Sequence, residues 1–250
     1  MNVSKATAAR YLPGTPSAYT DLIHRRRIQI LEEEPGFLGK GGAILDVGCG
    51  NGASLLLLAA HFEHCHGIDL SEHCLQTFEQ QLQARSIQHC TMECADIEQE
   101  FGEADSFDRL ISFEVLEHVG DDIALAQRML RCLKPGGVLA VSVPNKWWIF
   151  ETHGAYLPLL RWNRVPFLSW LPQSLHRRIA RARNYKKSDI LGVLRQAGLE
   201  IVNLHYITAP MDRLRPPRLQ SLARRWFFGS STTSVPFLAT SILVIARKPE

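Results

Sequence analysis

The chain has 250 residues, of which 46% are apolar, and it carries 28 lysines and arginines against 25 aspartates and glutamates. This length and apolar fraction allow one α/β domain with additions and exclude a fully disordered chain. The net charge of +3 is unevenly distributed, because residues 1–145 have 11 basic against 20 acidic residues and residues 146–250 have 17 against 5. The two halves of the chain are therefore suited to different surroundings.

The elements predicted in chain order alternate between strands and helices. Residues 1–20 are predicted to form a mobile or loosely docked arm, followed by a helix over 19–34 that ends at Pro35-Gly36. Apolar runs predict strands at 43–47, 64–68, 88–93, 107–113, 137–143, 199–208 and 239–246. Helical spacing predicts helices at 53–61, 71–84, 121–133 and 188–196, the last with Ser188 as its cap. This alternation predicts an α/β fold whose mostly parallel seven-stranded sheet has helices on both faces.

The same pattern suggests how the chain is organised. We expect an N-terminal arm and helix over residues 1–40 and one domain over 41–250, with insertions at about 145–185 and 210–234. The first 20 residues lack the apolar stretch of a secretory signal, and no apolar run reaches the length of a membrane-spanning helix. The six cysteines include no C-x-x-C pair, which favours a reducing compartment. We therefore predict a cytoplasmic protein.

The most informative stretch is Ile-Leu-Asp-Val-Gly-Cys-Gly-Asn-Gly at 44–52, where a strand breaks into a glycine-rich loop before a helix. Gly48, Gly50 and Gly52 remove side chains that would keep a ligand from the backbone, and glycine accepts positive φ without strain. The loop lacks the Gly-x-Gly-x-x-Gly of nicotinamide binders and the lysine of phosphate loops. It predicts a cradle for a nucleotide-type cofactor, whose identity depends on the neighbouring residues.

Acidic residues stand at the ends of the first four predicted strands: Asp46, Asp69, Asp96 and Glu114. Ligands of doubly wound sheets bind beyond the carboxyl ends of the strands, and an acid after the second strand hydrogen-bonds ribose hydroxyls. Asp96, after the third strand, is placed to hold an adenine amino group. We therefore expect these acids to form one site.

These residues, together with Phe-Glu-Val-Leu-Glu-His-Val at 113–119 and Lys-Pro-Gly-Gly at 134–137, resemble the class I S-adenosylmethionine-dependent methyltransferases. The specific resemblance is to the ubiquinone-biosynthesis O-methyltransferase group, and it covers roughly residues 40–145. It implies a Rossmann-like class I methyltransferase fold and S-adenosylmethionine as the cofactor. It also implies that Asp46 and the backbone of Gly48, Cys49 and Gly50 hold the amino-acid end of the cofactor.

The resemblance assigns the other end of the cofactor to the following strand ends. Asp69 would hold the ribose, and Asp96 with the Ile97 amide would recognise adenine. Leu70 and Phe113 would pack around the adenine ring and the thioether.

Glu117 and His118 are the candidate catalytic residues. An imidazole with an ordinary pKa near 6.5 can take a proton from a hydroxyl group at neutral pH. In the ubiquinone-type enzymes a similar Glu-x-x-Glu-His pattern is discussed as a metal site, and here it consists of Glu114, Glu117 and His118. We predict that no metal binds there. His153 or Glu151 of the following segment could reach the acceptor instead.

The segment 147–187 is rich in aromatic residues and then turns basic. We predict that it forms a substrate lid after the fifth strand, because ligand pockets are mostly apolar. Rings beside arginines also suit the headgroup layer of a bilayer, so peripheral contact with the inner face of a membrane is a further prediction, compatible with the first.

Three functions fit the sequence. We favour a methyltransferase that acts on a small or lipid-like apolar acceptor, at oxygen. The second reading is an RNA or protein methyltransferase with the basic half as its footprint, although no RNA-binding module is recognisable and we do not expect a nucleic-acid partner. The third is a non-catalytic cofactor-binding member of the fold.

Overall fold

The described residues of the computed structural model are 20–39, 41–156, 165–212, 214 and 216–250. The predicted arm, except for its last residue, and the 157–164 part of the first insertion lie outside them. Within these described ranges, no helix is long and apolar enough to cross a bilayer.

The described strands form one sheet: β1 Ala43–Val47, β2 His64–Asp69, β3 Cys90–Cys94, β4 Phe107–Phe113, β5 Leu133–Pro144, β6 Glu200–Thr208, β7 Thr232–Thr233 and β8 Ala239–Arg247. Their order across the sheet is β3-β2-β1-β4-β5-β8-β6-β7. The first five strands pair in parallel, and β8 is antiparallel to β5 and β6. The mostly parallel sheet is confirmed.

The predicted number of strands is too low by one. The extra strand is β7, which lies in the second insertion and pairs antiparallel with β6. Two threonines are too short a run to show the alternation that marks a strand. The strand predicted at 137–143 starts earlier, because Leu133 already pairs with Phe107 of β4.

The described α-helices are α1 Leu22–Glu33, α2 Ala53–Leu58, α3 Glu72–Ala84, α4 Asp122–Cys132, α5 Gln173–Ile179, α6 Lys187–Gln196 and α7 Pro217–Trp226. A 3-10 turn at Ala59–His61 continues α2 to the predicted end. Ser188 is not the cap of α6, because the helix begins one residue earlier and the Lys186 N–H donates to the Asp189 carboxylate at 3.1 Å. Helices α5 and α7 lie in the insertions and were not predicted.

Both faces of the sheet are covered, as the sequence predicted. Successive residues of β1 point to opposite faces: Leu45 packs in one buried cluster with Leu194 of α6, and Ile44 packs in a second with Leu31 of α1 and Phe78 of α3. The central strands are therefore apolar on both sides, which is typical of a parallel sheet covered by helices. Because β1 to β4 are parallel, their carboxyl ends share one edge of the sheet, and this edge carries the candidate site.

Candidate active site

The glycine loop after β1 is fastened to the end of β2. The N–H groups of Gly48 and Cys49 donate to the Ile68 carbonyl at 2.8 and 3.0 Å, and the Gly50 N–H donates to Asp69 Oδ2 at 2.8 Å. These three donors are therefore satisfied within the chain. A ligand at this loop meets its Cα and carbonyl surface.

The three glycines of the loop meet different needs, although all have positive φ. A Cβ at Gly48 would lie 2.4 Å from Val115 Cγ2, and one at Gly52 would lie 2.0 Å from the Phe78 ring. A Cβ at Gly50 would meet nothing within 4 Å. Gly48 and Gly52 therefore make room for the protein itself, and that Gly50 makes room for a ligand stays a prediction.

Asp46 is a buried acid at this edge, with 3% of its surface exposed. Burial, followed by the neighbouring Asp69 carboxylate, raises the pKa of Asp46 to about 8, against a smaller lowering by the Arg27 guanidinium. A cationic group bound beside Asp46 would favour its charged form. Gly50 leaves open space for a ligand. The acids Asp46 and Asp69 fit the ammonium group and the ribose of S-adenosylmethionine, respectively.

The ends of β2 and β3 lie side by side, because the Ala95 N–H donates to the Asp69 carbonyl at 3.1 Å. Asp69 Oδ1 accepts the Ser71 N–H and Asp96 Oδ1 accepts the Glu98 N–H, each at 2.9 Å. Both acids therefore order the turns that follow their strands, and Asp96 caps no helix. The structure brings them to one edge, as the sequence predicted.

The apolar residues assigned to the cofactor lie around the same strand ends. The Leu70 carbonyl accepts the Cys94 thiol at 3.5 Å, and Ile97 packs against a buried cluster. Phe113, at the end of β4, has the Arg27 guanidinium carbon 5.3 Å from its ring centroid. Their contacts with adenine and the thioether remain predictions.

Glu114 follows Phe113 with a φ of +60°, in the left-handed region that non-glycine residues seldom adopt. Its Oε1 accepts hydrogen bonds from Arg27 at 2.6 Å and from the Ser142 hydroxyl at 2.9 Å. Burial would raise the pKa of Glu114, but Arg27 and then His153 hold it below its ordinary value. Glu114 is therefore a paired carboxylate at the centre of the site.

Glu117, His118 and His153 form a cluster next to Glu114. The Nε2 atom of His153 lies 3.2 Å from Glu117 Oε1 and 3.6 Å from Glu114 Oε2, while His118 Nε2 lies 4.0 Å from Glu117 Oε1. The two imidazole centroids are 5.1 Å apart. The turn over 116–118 lets the adjacent Glu117 and His118 converge. His153, which the sequence offered only as an alternative, belongs to the same cluster.

Electrostatics keep this cluster mostly uncharged. The Glu117 side chain is fully buried, and its oxygens have no hydrogen-bond partner among the described residues, although His153 Nε2 lies near Oε1. Burial, followed by the Glu114 charge, raises the pKa of Glu117 well above its ordinary value. Burial, followed by His153, lowers the pKa of His118 to about 4, and burial also lowers that of His153. The imidazoles are therefore neutral at pH 7.

The ligand atoms of Glu117, His118 and His153 lie within 4.8 Å of one another, a spacing that could also hold a metal ion. This set contains His153 in place of Glu114 of the sequence pattern, and Glu114 Oε1 pairs with Arg27. The absence of a bound metal remains a prediction.

The first insertion lies against the turn that carries these residues. The Arg183 N–H donates to the Glu117 carbonyl at 3.1 Å, and the Arg183 guanidinium donates to the carbonyls of Leu116 and Val119 at 2.9 and 2.6 Å. The insertion therefore packs at the carboxyl edge of the sheet, where a lid would have to lie.

Glu151 fixes the loop that presents His153. Its Oε2 pairs with the buried His176 at 2.7 Å, and its Oε1 accepts the N–H groups of Thr152 and His153 at 2.9 and 3.3 Å. The sequence offered Glu151 and His153 as residues that could reach the acceptor. The Glu151 carboxylate is engaged by contacts within the insertion, and of these two residues only His153 lies beside Glu117 and His118.

The strand order, the glycine loop and the row of acids at one sheet edge define a class I S-adenosylmethionine-dependent methyltransferase. A family model described as a methyltransferase domain matches residues 16–204, and the chain belongs to this family. The cofactor of the class is S-adenosylmethionine, and the residues at this edge fit it as described above.

Comparisons with individual proteins agree with this assignment. The chain is similar to ubiquinone biosynthesis O-methyltransferases of Coxiella burnetii, at 32% identity over 50% of this chain and 52% of the relative, and of Aromatoleum aromaticum, at 30% over 73% of each. The match therefore spans about half the length of the Coxiella relative. The fold of the chain is similar to that of phosphoethanolamine N-methyltransferase 2 of Haemonchus contortus, solved in complex with S-adenosylmethionine. That comparison has a TM-score of 0.62 at 17% identity, covering 90% of this chain and 53% of the other.

Proposed function

We propose that the chain transfers the methyl group of S-adenosylmethionine to an oxygen of a small or lipid-like apolar acceptor, with His118 as the general base. One observation carries the proposal. The turn that presents Glu117 and His118 packs through Val115 against Gly48 of the cofactor loop. The acceptor hydroxyl can therefore meet a base beside the place where the donor methyl is expected.

The chain's contribution to this reaction is alignment and proton removal. The cofactor supplies a methyl group that its sulfonium already activates. His118 accepts the proton that the hydroxyl loses as the new oxygen–carbon bond forms and the carbon–sulfur bond breaks. His118 is placed for this role because its side chain is 29% exposed and none of the described hydrogen bonds engages its ring. Burial lowers its pKa to about 4, so it is neutral at pH 7 but a weaker base than an ordinary histidine. The His153 ring is engaged instead, because its Nδ1 lies 3.0 Å from Thr152 Oγ1 and its Nε2 lies 3.2 Å from Glu117 Oε1.

An oxygen acceptor is supported by the relatives, which are named O-methyltransferases. An apolar acceptor is supported by the aromatic rings that the insertions contribute. The Trp148 ring centroid lies 6.1 Å from that of Phe150 and 6.4 Å from that of Phe228, so both insertions share one aromatic group. Apolar linings are usual for pockets that take ligands with little charge.

Transfer of a radiolabelled methyl group to candidate acceptors tests the proposal. A catechol with an isoprenoid tail should become labelled, and the same compound with both hydroxyls blocked should not. Labelling of RNA or protein would favour the second reading from the sequence and contradict the proposal. Binding of the cofactor without transfer to any acceptor class would favour the non-catalytic reading.

We also propose a cytoplasmic protein that touches the inner face of a membrane through the 147–187 segment. Tyr156 and Phe167 support this, because they are 57% and 51% exposed and the Arg181 guanidinium carbon lies 4.8 Å from the Tyr156 ring centroid. Cosedimentation with anionic vesicles should weaken in Tyr156→Ser/Phe167→Ser, and unchanged binding would contradict this contact.

A further inference from the structure

Helix α7, in the second insertion, exposes its apolar side to solvent. Leu219, Leu222 and Trp226 follow one another at three- and four-residue spacing and are 48%, 53% and 68% exposed, and Phe227, which follows the helix, is 66% exposed. No residue of α7 is buried. A surface helix normally turns its apolar side to the core, whereas α7 turns its apolar side to solvent.

The polar side of α7 is fastened to the protein. Gln220 Nε2 donates to the Met211 carbonyl at 3.0 Å, Arg224 Nε donates to the Pro210 carbonyl at 2.9 Å, and the Arg224 guanidinium also pairs with Asp212. These contacts orient the helix. The outward direction of Leu222 and Trp226 is therefore built into the fold.

The end of α7 is also tied to the body of the protein. The Phe228 carbonyl accepts a hydrogen bond from Arg26 of α1, and the Phe228 ring packs edge-on against Trp148 at 6.4 Å. Phe227, one residue earlier, has its ring centroid 6.5 Å from that of Phe228. The exposed rings are thus held on a supported surface.

The charges beside the apolar side indicate its partner. Arg218 and Arg225 are both exposed, and on a helical wheel both border the apolar side next to Leu222. Residues 146–250 as a whole carry 17 basic against 5 acidic residues. Two such surfaces facing each other in a symmetric dimer would repel, whereas arginines around exposed rings match a layer of anionic headgroups.

We propose that α7 is an interfacial helix that lies in the headgroup layer of an anionic bilayer, with Leu219, Leu222, Trp226 and Phe227 inserted toward the acyl chains. These inserting residues are not those proposed for the 147–187 segment, although Phe228 packs on Trp148 of that segment, and the inference does not depend on the proposed methyl transfer. A bilayer contact there would bring an apolar acceptor close to the protein.

Cosedimentation of the full chain with vesicles tests this inference. Vesicles of phosphatidylcholine with one quarter phosphatidylglycerol should bind the chain, and vesicles of phosphatidylcholine alone should bind it less. Trp226→Ser/Phe227→Ser should lower partitioning by about tenfold or more, because two large apolar side chains no longer insert. The matched control is Val202→Ser, which removes an apolar side chain that is 49% exposed on β6 and should leave binding unchanged.

The contrary outcomes are distinct. The inference is overturned if the unmodified chain fails to bind anionic vesicles, or if the double variant binds as well as the control. It is also overturned if sedimentation velocity shows that the double variant changes only a dimer into a monomer. Cofactor binding, measured on the same samples, reports separately on the proposed function and should be equal in all variants. If Trp226→Ser/Phe227→Ser binds the cofactor less well, we take it as misfolded. Arg218→Glu/Arg225→Glu is then tested in its place and should show the same drop in partitioning to anionic vesicles.

Discussion

Arg27 and Glu114 form an ion pair with Nη2 2.6 Å from Oε1, although 87 positions separate them in the chain. The pair joins α1 to the end of β4, where Glu114 adopts positive φ. Burial raises the pKa values of Asp46 and Glu117, and the Arg27 cation opposes that rise, whereas it helps to hold the pKa of Glu114 below its ordinary value. A helix outside the predicted domain therefore supplies the main cation of the site.

Replacing Arg27 should destabilise the fold. Arg27→Met leaves the Glu114 carboxylate buried without its cation, and we expect a loss of about 3 kcal/mol in the free energy of unfolding. Urea denaturation measures this loss. The double variant Arg27→Met/Glu114→Gln should recover a large part of it, because it removes the unpaired charge. Equal stability of the two variants would show that the ion pair is not what holds Glu114.

His118→Gln should slow methyl transfer while leaving cofactor binding intact. Loss of a general base typically costs about 10² to 10⁴ in rate, and a side chain on the acceptor side should not alter the cofactor affinity. Steady-state kinetics with a hydroxyl acceptor measure kcat. The control is His64→Gln on β2, an exposed histidine that lies at the opposite end of its strand from Asp69. If the two variants are equally active, His118 is not the base.

The rate should depend little on pH in the mildly acidic range. A base with an ordinary histidine pKa would be half protonated near pH 6.5, but burial, followed by His153, lowers the pKa of His118 to about 4. The base therefore stays neutral, and kcat should stay level from pH 8 down to about pH 5.5. A profile of kcat under saturating substrate tests this, and an acid limb centred near pH 6.5 would contradict a buried base.

Cofactor binding should release a proton. The pKa of Asp46 is raised to about 8, so at pH 7 its carboxyl group is mostly protonated in the free protein. Pairing with the cationic ammonium of the cofactor favours the carboxylate, so the affinity should rise as the pH rises from 7 toward 8. Calorimetry in phosphate and in Tris should give heats that differ by the number of protons released times the difference between the ionisation heats of the two buffers. Asp46→Asn should abolish that difference, and if the unmodified chain shows none, Asp46 is not the ammonium partner.

Much of the cofactor side was predictable because its signals are local. The glycine loop, the strand that precedes it and the acids Asp46, Asp69 and Asp96 each follow from short patterns, and parallel topology then brings them to one edge. The reason for two of the glycines was not predictable, since only packing shows that Gly48 and Gly52 avoid Val115 and Phe78.

The acceptor side depended on contacts that no local pattern encodes. Arg27 reaches Glu114 across 87 positions, and His153 joins Glu117 only because the first insertion folds back over the sheet edge. The sequence of α1 did not indicate that Arg26 and Arg27 would be buried. The orientation of α7 was likewise not predictable, because an amphipathic helix normally turns its apolar side to the core and α7 does the opposite.

The most direct test is calorimetric titration of the chain with S-adenosylmethionine and its demethylated product, with NAD as the control. S-adenosylmethionine and its demethylated product should both bind, and NAD should not. Asp69→Ala should weaken binding by about 1.5 to 3 kcal/mol, because a charge-assisted hydrogen bond is lost and the Gly50 N–H loses its acceptor. Failure of the folded chain to bind either ligand, or equal affinity in Asp69→Ala, would contradict the cofactor site described here.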